Sequence, residues 1–188
     1  MKSETISRAV SHALRHAPEQ YGLELDAEGW VPVSDLVDAL RRQGVEWSDI
    51  DAADVQLMIE TSAKRRHELR DGRIRAFYGH SVATAIQHTE ARPPAVLFHG
   101  TSPDAWAAIR LDGLRPMARQ NVHLAADLDT AILVGRRKAP EPIVLEVDTV
   151  RALDSGSQFW LGNDSIWLSD FIAAQFIVIH TAPHRSAR

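Results

Sequence analysis

Arginines and histidines carry most of the reactive chemistry available to this chain. Lys64, Arg65, Arg66, Arg70, Arg73 and Arg75 crowd into twelve residues whose only acids are Glu68 and Asp71. A planar guanidinium matches phosphate oxygens and stays charged at any physiological pH. Such a run is usually a solvated face, but its coincidence with a hairpin signal gives an anion-binding edge more weight. A second constellation lies between Val96 and Ala125. His99 follows the apolar run Val96-Leu97-Phe98, Gly100 would allow close backbone approach to a ligand, and His123 returns within Val122-His123-Leu124. Ser102 can cap a helix that Pro103 opens and Gly113 closes. Strand, glycine turn, capped helix and returning strand would frame a ligand cleft. Two histidines in apolar strands fit a satisfied core equally well, so pocket and core both stay open here. Chemistry on a phosphate is as far as these residues lead.

Much else is excluded. The chain has no phosphate-binding Walker loop, no GxGxxG fingerprint, no GxSxG elbow and no HExxH helix. Its nine histidines are scattered rather than spaced as ligands, so no metal is expected. Absence of cysteine removes disulfides, thiolate zinc sites and cysteine nucleophiles together. A formal net charge of −4 speaks against indiscriminate nucleic-acid binding, though not against a local basic site. No window has the apolar length of a membrane span, and MKSETISRAV lacks a signal core, so a soluble cytoplasmic protein with no membrane contact is expected. Nothing points to an obligate protein partner.

The elements that must position these residues fall into two halves. Residues 4–16 read as an amphipathic helix with Ile6, Val10, Ala13 and Leu14 on its core side, Ser3 as cap, and Arg15-His16 at its end before Pro18. Leu23 to Val31 alternates around a glycine turn. Ser34 is expected to cap a second helix with Leu36, Val37 and Leu40 inward, ending at Gly44. Ser48 or Asp49 is expected to begin a third, with Val55, Leu57, Met58 and Ile59 on its apolar side. Asp71-Gly72 between His67–Arg70 and Arg73–Ala76 is a strong two-residue hairpin signal. Three helices followed by a basic hairpin is the order of a winged helix. Residues 87–94 read as a proline-bearing linker. Beyond them, Asp127 can cap a helix running out at Gly135-Arg136-Arg137-Lys138, and strands are expected at 143–147, 158–160, 166–168 and 176–179. The expected fold class is α+β: an N-terminal lobe over 1–86, a strand-rich lobe over 95–181, and a disordered tail over 182–188.

Four blocks, in order, resemble the RNA 2'-phosphotransferases. They are Arg15-His16-Ala17-Pro18 with Gly22–Asp26 and Glu28-Gly29-Trp30; Arg73–Ala76 with Gly79-His80-Ser81; His99-Gly100-Thr101 with Gly113-Leu114, Pro116-Met117 and Val122-His123-Leu124; and Val134-Gly135-Arg136-Arg137. Together they cover nearly the whole chain. The resemblance implies a winged-helix lobe joined to an ADP-ribosyltransferase-like lobe. It implies NAD+-dependent removal of an internal RNA 2'-phosphate, from tRNA-like or other RNA, in two steps. The 2'-phosphate attacks the anomeric carbon of the nicotinamide ribose and expels nicotinamide. A neighbouring ribose hydroxyl then attacks phosphorus, leaving an RNA 2'-hydroxyl and a cyclic phosphate of ADP-ribose. In the family's tRNA members this belongs to tRNA splicing.

The same resemblance implies Arg15, His16, Arg75 and Arg137 as the essential set, with Arg136 the rival of Arg137. Arg75 and Arg137 would bind phosphate, Arg15 would assist, and His16 would contact the phosphate in the second step, by hydrogen-bond donation or proton transfer. His99, Gly100 and His123 would hold NAD+, with Thr101, Ser102, His80 and Ser81 as lesser candidates. The family often has Asn-Gln where Phe77-Tyr78 stands and histidine where Asn121 stands, departures that bear on RNA or nucleotide contacts. Two other readings stand beside this one: an ADP-ribosyltransferase that stops after the first step on nucleic-acid phosphate ends, and a winged-helix binder that senses NAD+ without turnover.

Overall fold

Burial of one stripe makes the first helix. In the computed structural model, which describes residues 3–181, α1 (Ser3–Arg15) buries Ile6, Val10, Ala13 and Leu14. Each large side chain so placed contributes about 1.5–3 kcal/mol. The single turn α2 (Pro18–Tyr21) follows and stops at Gly22, which takes φ 65°. After β1 (Val31–Pro32), α3 (Val33–Arg41) turns Leu36, Val37 and Leu40 inward as expected. Its start is not at Ser34. Val33 is already helical, its N–H donates to the Gly72 carbonyl at 2.9 Å, and the Ser34 hydroxyl donates to Asp35 instead. The helix also ends at Arg41, ahead of Gly44.

The third expected helix is likewise displaced. Residues near Ser48 and Asp49 follow a 3-10 turn (Val45–Trp47), and α4 (Ala52–Glu60) begins after Asp51. Asp51 and Asp54 cap each other reciprocally, each carboxylate accepting the other's backbone N–H at 2.9 and 3.1 Å. Val55 and Met58 are buried, Ile59 packs partly against them, and Leu57 faces solvent.

The hairpin stands where the turn signal put it. β2 (His67–Arg70) and β3 (Arg73–Ala76) pair antiparallel around Asp71 and Gly72, with φ 51° and 72°. Two left-handed residues match the right-handed twist of the flanking strands. β3 also pairs with β1, giving a sheet in the order β1-β3-β2.

The chain divides into two units. One comprises residues 1–88 with Ala118–Gln120, the other 89–117 with 121–188. The return of Ala118–Gln120 to the first unit has a visible cause. Gln120 donates through Nε2 to the carbonyls of Val82 and Thr84 at 2.9 and 2.7 Å, accepts from Ile86 N–H at 3.0 Å, and donates its own N–H to the His80 carbonyl at 3.0 Å.

The second unit is built on one antiparallel sheet in the order β7-β8-β5-β4-β6-β9. Its strands are β4 (Val96–Thr101), β5 (Val122–Ala125), β6 (Ile143–Asp148), β7 (Trp160–Asn163), β8 (Ile166–Ser169) and β9 (Ile177–Ile179). α5 (Pro103–Asp112) has Ser102 as N-cap and Gly113 as C-cap, as read from the residues, but Leu111 is exposed and only Trp106 and Ile109 lean on the core. α6 (Leu128–Gly135) starts at the Asp127 cap and ends just before Arg136. α7 (Thr149–Asp154) follows β6. Leu97, Leu124, Leu145, Val147, Phe159 and Ile172 are among the side chains that close this core. The fold class is therefore α+β with antiparallel sheets. The expected tail from Ala182 lies outside the described residues.

Candidate active site

Arg15, His16, Arg75, His80 and Ser81 all belong to the N-terminal unit. Arg15 ends α1, its Nη2 donates to the Arg66 carbonyl at 3.0 Å, and its guanidinium lies 5.4 Å from the Tyr78 ring. Its Nε is buried with no partner. Burial, with Arg66 and Arg119 adding to it and Tyr78 opposing, pushes this guanidinium down to about 10. It is still a cation at neutral pH, held at a cost that an anion would relieve.

His16 is exposed beside it. Its Nδ1 lies 2.9 Å from the Ser81 hydroxyl, and Ser81 N–H donates to the Arg15 carbonyl at 2.9 Å. Partial burial, then the cations Arg15 and Arg119 and the neighbouring His12, lower the His16 pKa. The ring is therefore held toward its neutral form. With Ser81 on one nitrogen, the other is left as the face for a ligand.

Arg75 sits directly opposite Glu68 across the hairpin. Its Nε and Nη2 reach one Glu68 oxygen at 2.8 and 2.7 Å, its Nη1 lies 3.5 Å from Glu28, and its guanidinium stacks 4.5 Å from the Trp30 ring. The rest of the basic run is similarly held: Arg73 by Asp26 at 2.8 Å, Arg70 over Trp30 at 4.8 Å, and Arg65 over Phe77 at 5.5 Å. Phe77 and Tyr78 thus back two arginines.

His80, expected among nucleotide contacts, is only 1% exposed, and burial first, then His88 and nearby cations, push it down to about 3. Gly29 lies against its ring, where an added Cβ would come within 3.5 Å of Nε2.

His99, Gly100, Thr101, Ser102, His123 and Arg137 belong to the C-terminal unit. The apolar run continues as strand through Thr101, so Gly100 is not in a turn. Its missing side chain makes room for α6: a Cβ there would lie 1.9 Å from the Ala131 carbonyl oxygen and 2.7 Å from Gly135 N. The close approach that its missing side chain permits is to this helix. Thr101 is buried, and the Ser102 hydroxyl accepts from Ala105 N–H as the helix cap.

β4 and β5 are in register at one pair, Phe98 and Ala125. Beyond it they part, and His99 Nδ1 reaches across to the His123 carbonyl at 2.9 Å. That contact makes Nδ1 the protonated nitrogen and leaves Nε2 an acceptor. Burial lowers the His99 pKa, partly offset by the His123 carbonyl and reinforced by Lys138. Arg136 and Arg137 are both exposed after α6. Glu146, on β6, is paired with His180. Among the described residues no three potential ligands converge on a metal position, and no helix is long and apolar enough to cross a membrane.

The N-terminal unit thus carries a partly buried arginine followed by a histidine, and an arginine stacked on an indole and held by carboxylates; the C-terminal unit carries a histidine that bridges two strands where they part, and the fold is that of an α+β protein. Comparison with known proteins carries the identification further. The profile described as RNA 2'-phosphotransferase, Tpt1 / KptA family, matches residues 1–171, and the chain belongs to that family of enzymes. It is 50% identical over 175 residues to a probable RNA 2'-phosphotransferase of Bacillus thuringiensis subsp. konkukian, covering 93% of this chain and 94% of the relative. A protein of the same name from Acetivibrio thermocellus is 45% identical over 172 residues, covering 92% and 94%. One from Rhizobium rhizogenes is 42% identical over 172 residues, covering 92% and 91%.

Three features were missed from the residues alone: the carboxylates of Glu28 and Glu68 on Arg75, the Ser81 contact to His16, and the brace made by Gln120. Only the Glu68–Arg75 pairing had a signal, since a two-residue turn at Asp71-Gly72 sets these residues opposite each other.

Proposed function

We propose that this enzyme removes an internal 2'-phosphate from RNA in an NAD+-dependent, two-step reaction, in the cytoplasm and without a metal. The observation that supports this most directly is the placement of Arg15, His16 and Arg75 in one unit, with a buried cationic guanidinium, a neutral-leaning imidazole and a stacked arginine.

Winged-helix character for the N-terminal unit rests on the element order and the β1-β3-β2 sheet. Here Arg75 holds the RNA 2'-phosphate, and Arg15 adds charge as negative charge grows on phosphoryl oxygens in the second step. No base is needed to make the first nucleophile, because a phosphomonoester is already an anion. His16 presents Nε2 to the phosphate while Ser81 holds Nδ1.

The C-terminal unit holds NAD+ at the split between β4 and β5, an ADP-ribosyltransferase-like arrangement. His99, fixed by the His123 carbonyl, orients the nucleotide, and His123 packs near the nicotinamide. The backbone about Gly100 lies beside this split, whereas Thr101 and Ser102 act through the strand and the helix cap. Bound NAD+ supplies an anomeric carbon carrying a neutral leaving group. Arg137 supplies a further phosphate contact from the end of α6.

The test is a short RNA carrying one internal 2'-phosphate, incubated with and without NAD+ and resolved by mass. Wild type should lose the phosphate only with NAD+, and Arg15→Ala, His16→Ala, Arg75→Ala and Arg137→Ala should each lose turnover by about a hundredfold or more, as expected of groups on the transferred phosphate. RNA that gains ADP-ribose and goes no further in wild type would instead identify a one-step transferase. Tight RNA binding with no NAD+-dependent change would identify a binder.

A further inference from the structure

Arg75 does not present a bare guanidinium. Two of its nitrogens are committed to Glu68, which fixes the plane of the group against Trp30. The outer nitrogen, Nη1, faces a second carboxylate, Glu28, whose Oε2 lies 3.5 Å away. The same Oε2 accepts from the Trp30 indole Nε1–H at 3.3 Å. One oxygen of one acidic side chain thus lies where an indole N–H and a guanidinium N–H converge.

The turn that carries Glu28 is itself pinned. Asp26 accepts from the backbone N–H groups of Glu28 and Trp30 at 3.0 and 2.8 Å, and its other oxygen accepts from Arg73 at 2.8 Å. Among the described residues, Trp30 and Arg75 are the partners of the Glu28 carboxylate, and its side chain is 55% exposed against 23% for Glu68. The two acids therefore differ in kind. Glu68 is a buried-side strut across the hairpin, whereas Glu28 is a solvent-side oxyanion on a donor pair.

We propose that Glu28 is an internal stand-in for the substrate phosphate. Its carboxylate fills an anion position made by Arg75 Nη1 and Trp30 Nε1, and the RNA 2'-phosphate binds by displacing it. Trp30 is then a phosphate-binding residue alongside Arg75, and Glu28 is an autoinhibitory one that sets how tightly phosphate is held. This rests on the reading of Arg75 as a phosphate-binding residue.

Charge makes the exchange directional over the reaction. The entering 2'-phosphomonoester carries close to two negative charges at neutral pH, whereas joining it to ADP-ribose makes it a diester with one, as is the cyclic phosphate that leaves. A returning carboxylate competes poorly with the first and on roughly equal terms with the second. Glu28 thus weakens substrate binding slightly and helps product leave.

The experiment measures equilibrium binding of the full chain, without NAD+, to a short RNA bearing one internal 2'-phosphate. Wild type, Glu28→Gln, Arg75→Ala and the double variant form a cycle. Glutamine keeps an acceptor for Trp30 but removes the competing charge. Glu28→Gln should bind about two- to fivefold more tightly than wild type, the range expected for loss of an exposed ion pair. Combined with Arg75→Ala, the same substitution should change affinity little. Glu28→Ala, a second variant on an exposed turn, should move affinity in the same direction as Glu28→Gln.

An unchanged or weaker affinity in Glu28→Gln overturns the proposal. So does an equal gain in the Arg75→Ala background, which would reduce Glu28 to ordinary surface charge. Should Arg75→Ala alone leave affinity untouched, the phosphate-binding role of Arg75 fails, and Glu28 with it.

Discussion

The Ser81 hydroxyl lies 2.9 Å from Nδ1 of His16, and the Ser81 N–H is bound to the Arg15 carbonyl. A segment from well along the chain thus clamps the end of α1 and orients the histidine proposed to contact the phosphate. Burial and nearby cations lower the His16 pKa, so its ring is held toward the neutral form, with Nδ1 hydrogen-bonded to this hydroxyl.

Ser81→Ala should therefore lower turnover about three- to tenfold, the worth of one orienting hydrogen bond, while the KM for RNA changes little. Ser81→Thr, which keeps the hydroxyl, should recover most of the loss. Nitrogen NMR of His16 gives the independent readout: the Nδ1 resonance, which reports this hydrogen bond, should move in Ser81→Ala and stay near wild type in Ser81→Thr.

Stability should fall on acidification, through two buried histidines. Burial, reinforced by Arg15 and Arg66, pushes His67 down to about 3, and its Nε2 lies 3.0 Å from the Ser11 hydroxyl. His80 is also pushed down to about 3, and neither of its ring nitrogens has a partner. In the unfolded chain both titrate near about 6.5. Between those values the unfolded state binds more protons, so the stabilisation is complete above the unfolded pKa and is lost as pH falls toward the folded one. By about pH 5 each histidine should have cost about 2 kcal/mol. Urea midpoints across this range should show the loss, and His67→Gln should remove about half of it, leaving the share of His80; a midpoint independent of pH would contradict the burial.

Gly100→Ala should fail for a steric reason unrelated to any ligand. The added methyl would meet the Ala131 carbonyl oxygen at 1.9 Å and Gly135 N at 2.7 Å, both rigid helix backbone. Separation of α6 from β4 should cost about 3 kcal/mol or more. Thermal unfolding should drop sharply, whereas wild-type stability in the variant would mean that α6 does not lie against Gly100.

Local rules account for what could be read from the residues. Asp71-Gly72, Ser102-Pro103 and Asp127 each act within a few positions of themselves, and each stands as read. Errors arose where a distant group supplied the decisive contact. Gly72, far along the chain, satisfies the first N–H of α3, so Ser34 has no cap to make. The packing of α6 against Gly100 could not be read from nearby residues, because the helix that fills the space where its Cβ would lie begins only at Leu128. The essential set came from family resemblance rather than spacing. Glu28 could not be assigned to Arg75 at all, since its carboxylate is brought there by a turn pinned on Asp26 and the Trp30 indole.

The central claim, that phosphate leaves RNA by transfer to NAD+, is tested most directly by stoichiometry. Purified protein, NAD+ and an RNA with one internal 2'-phosphate would be sampled over time for nicotinamide, free phosphate and residual 2'-phosphate. The predicted result is one nicotinamide released for every 2'-phosphate removed, with the phosphorus recovered as a cyclic phosphate of ADP-ribose. Release of inorganic phosphate without nicotinamide would contradict it.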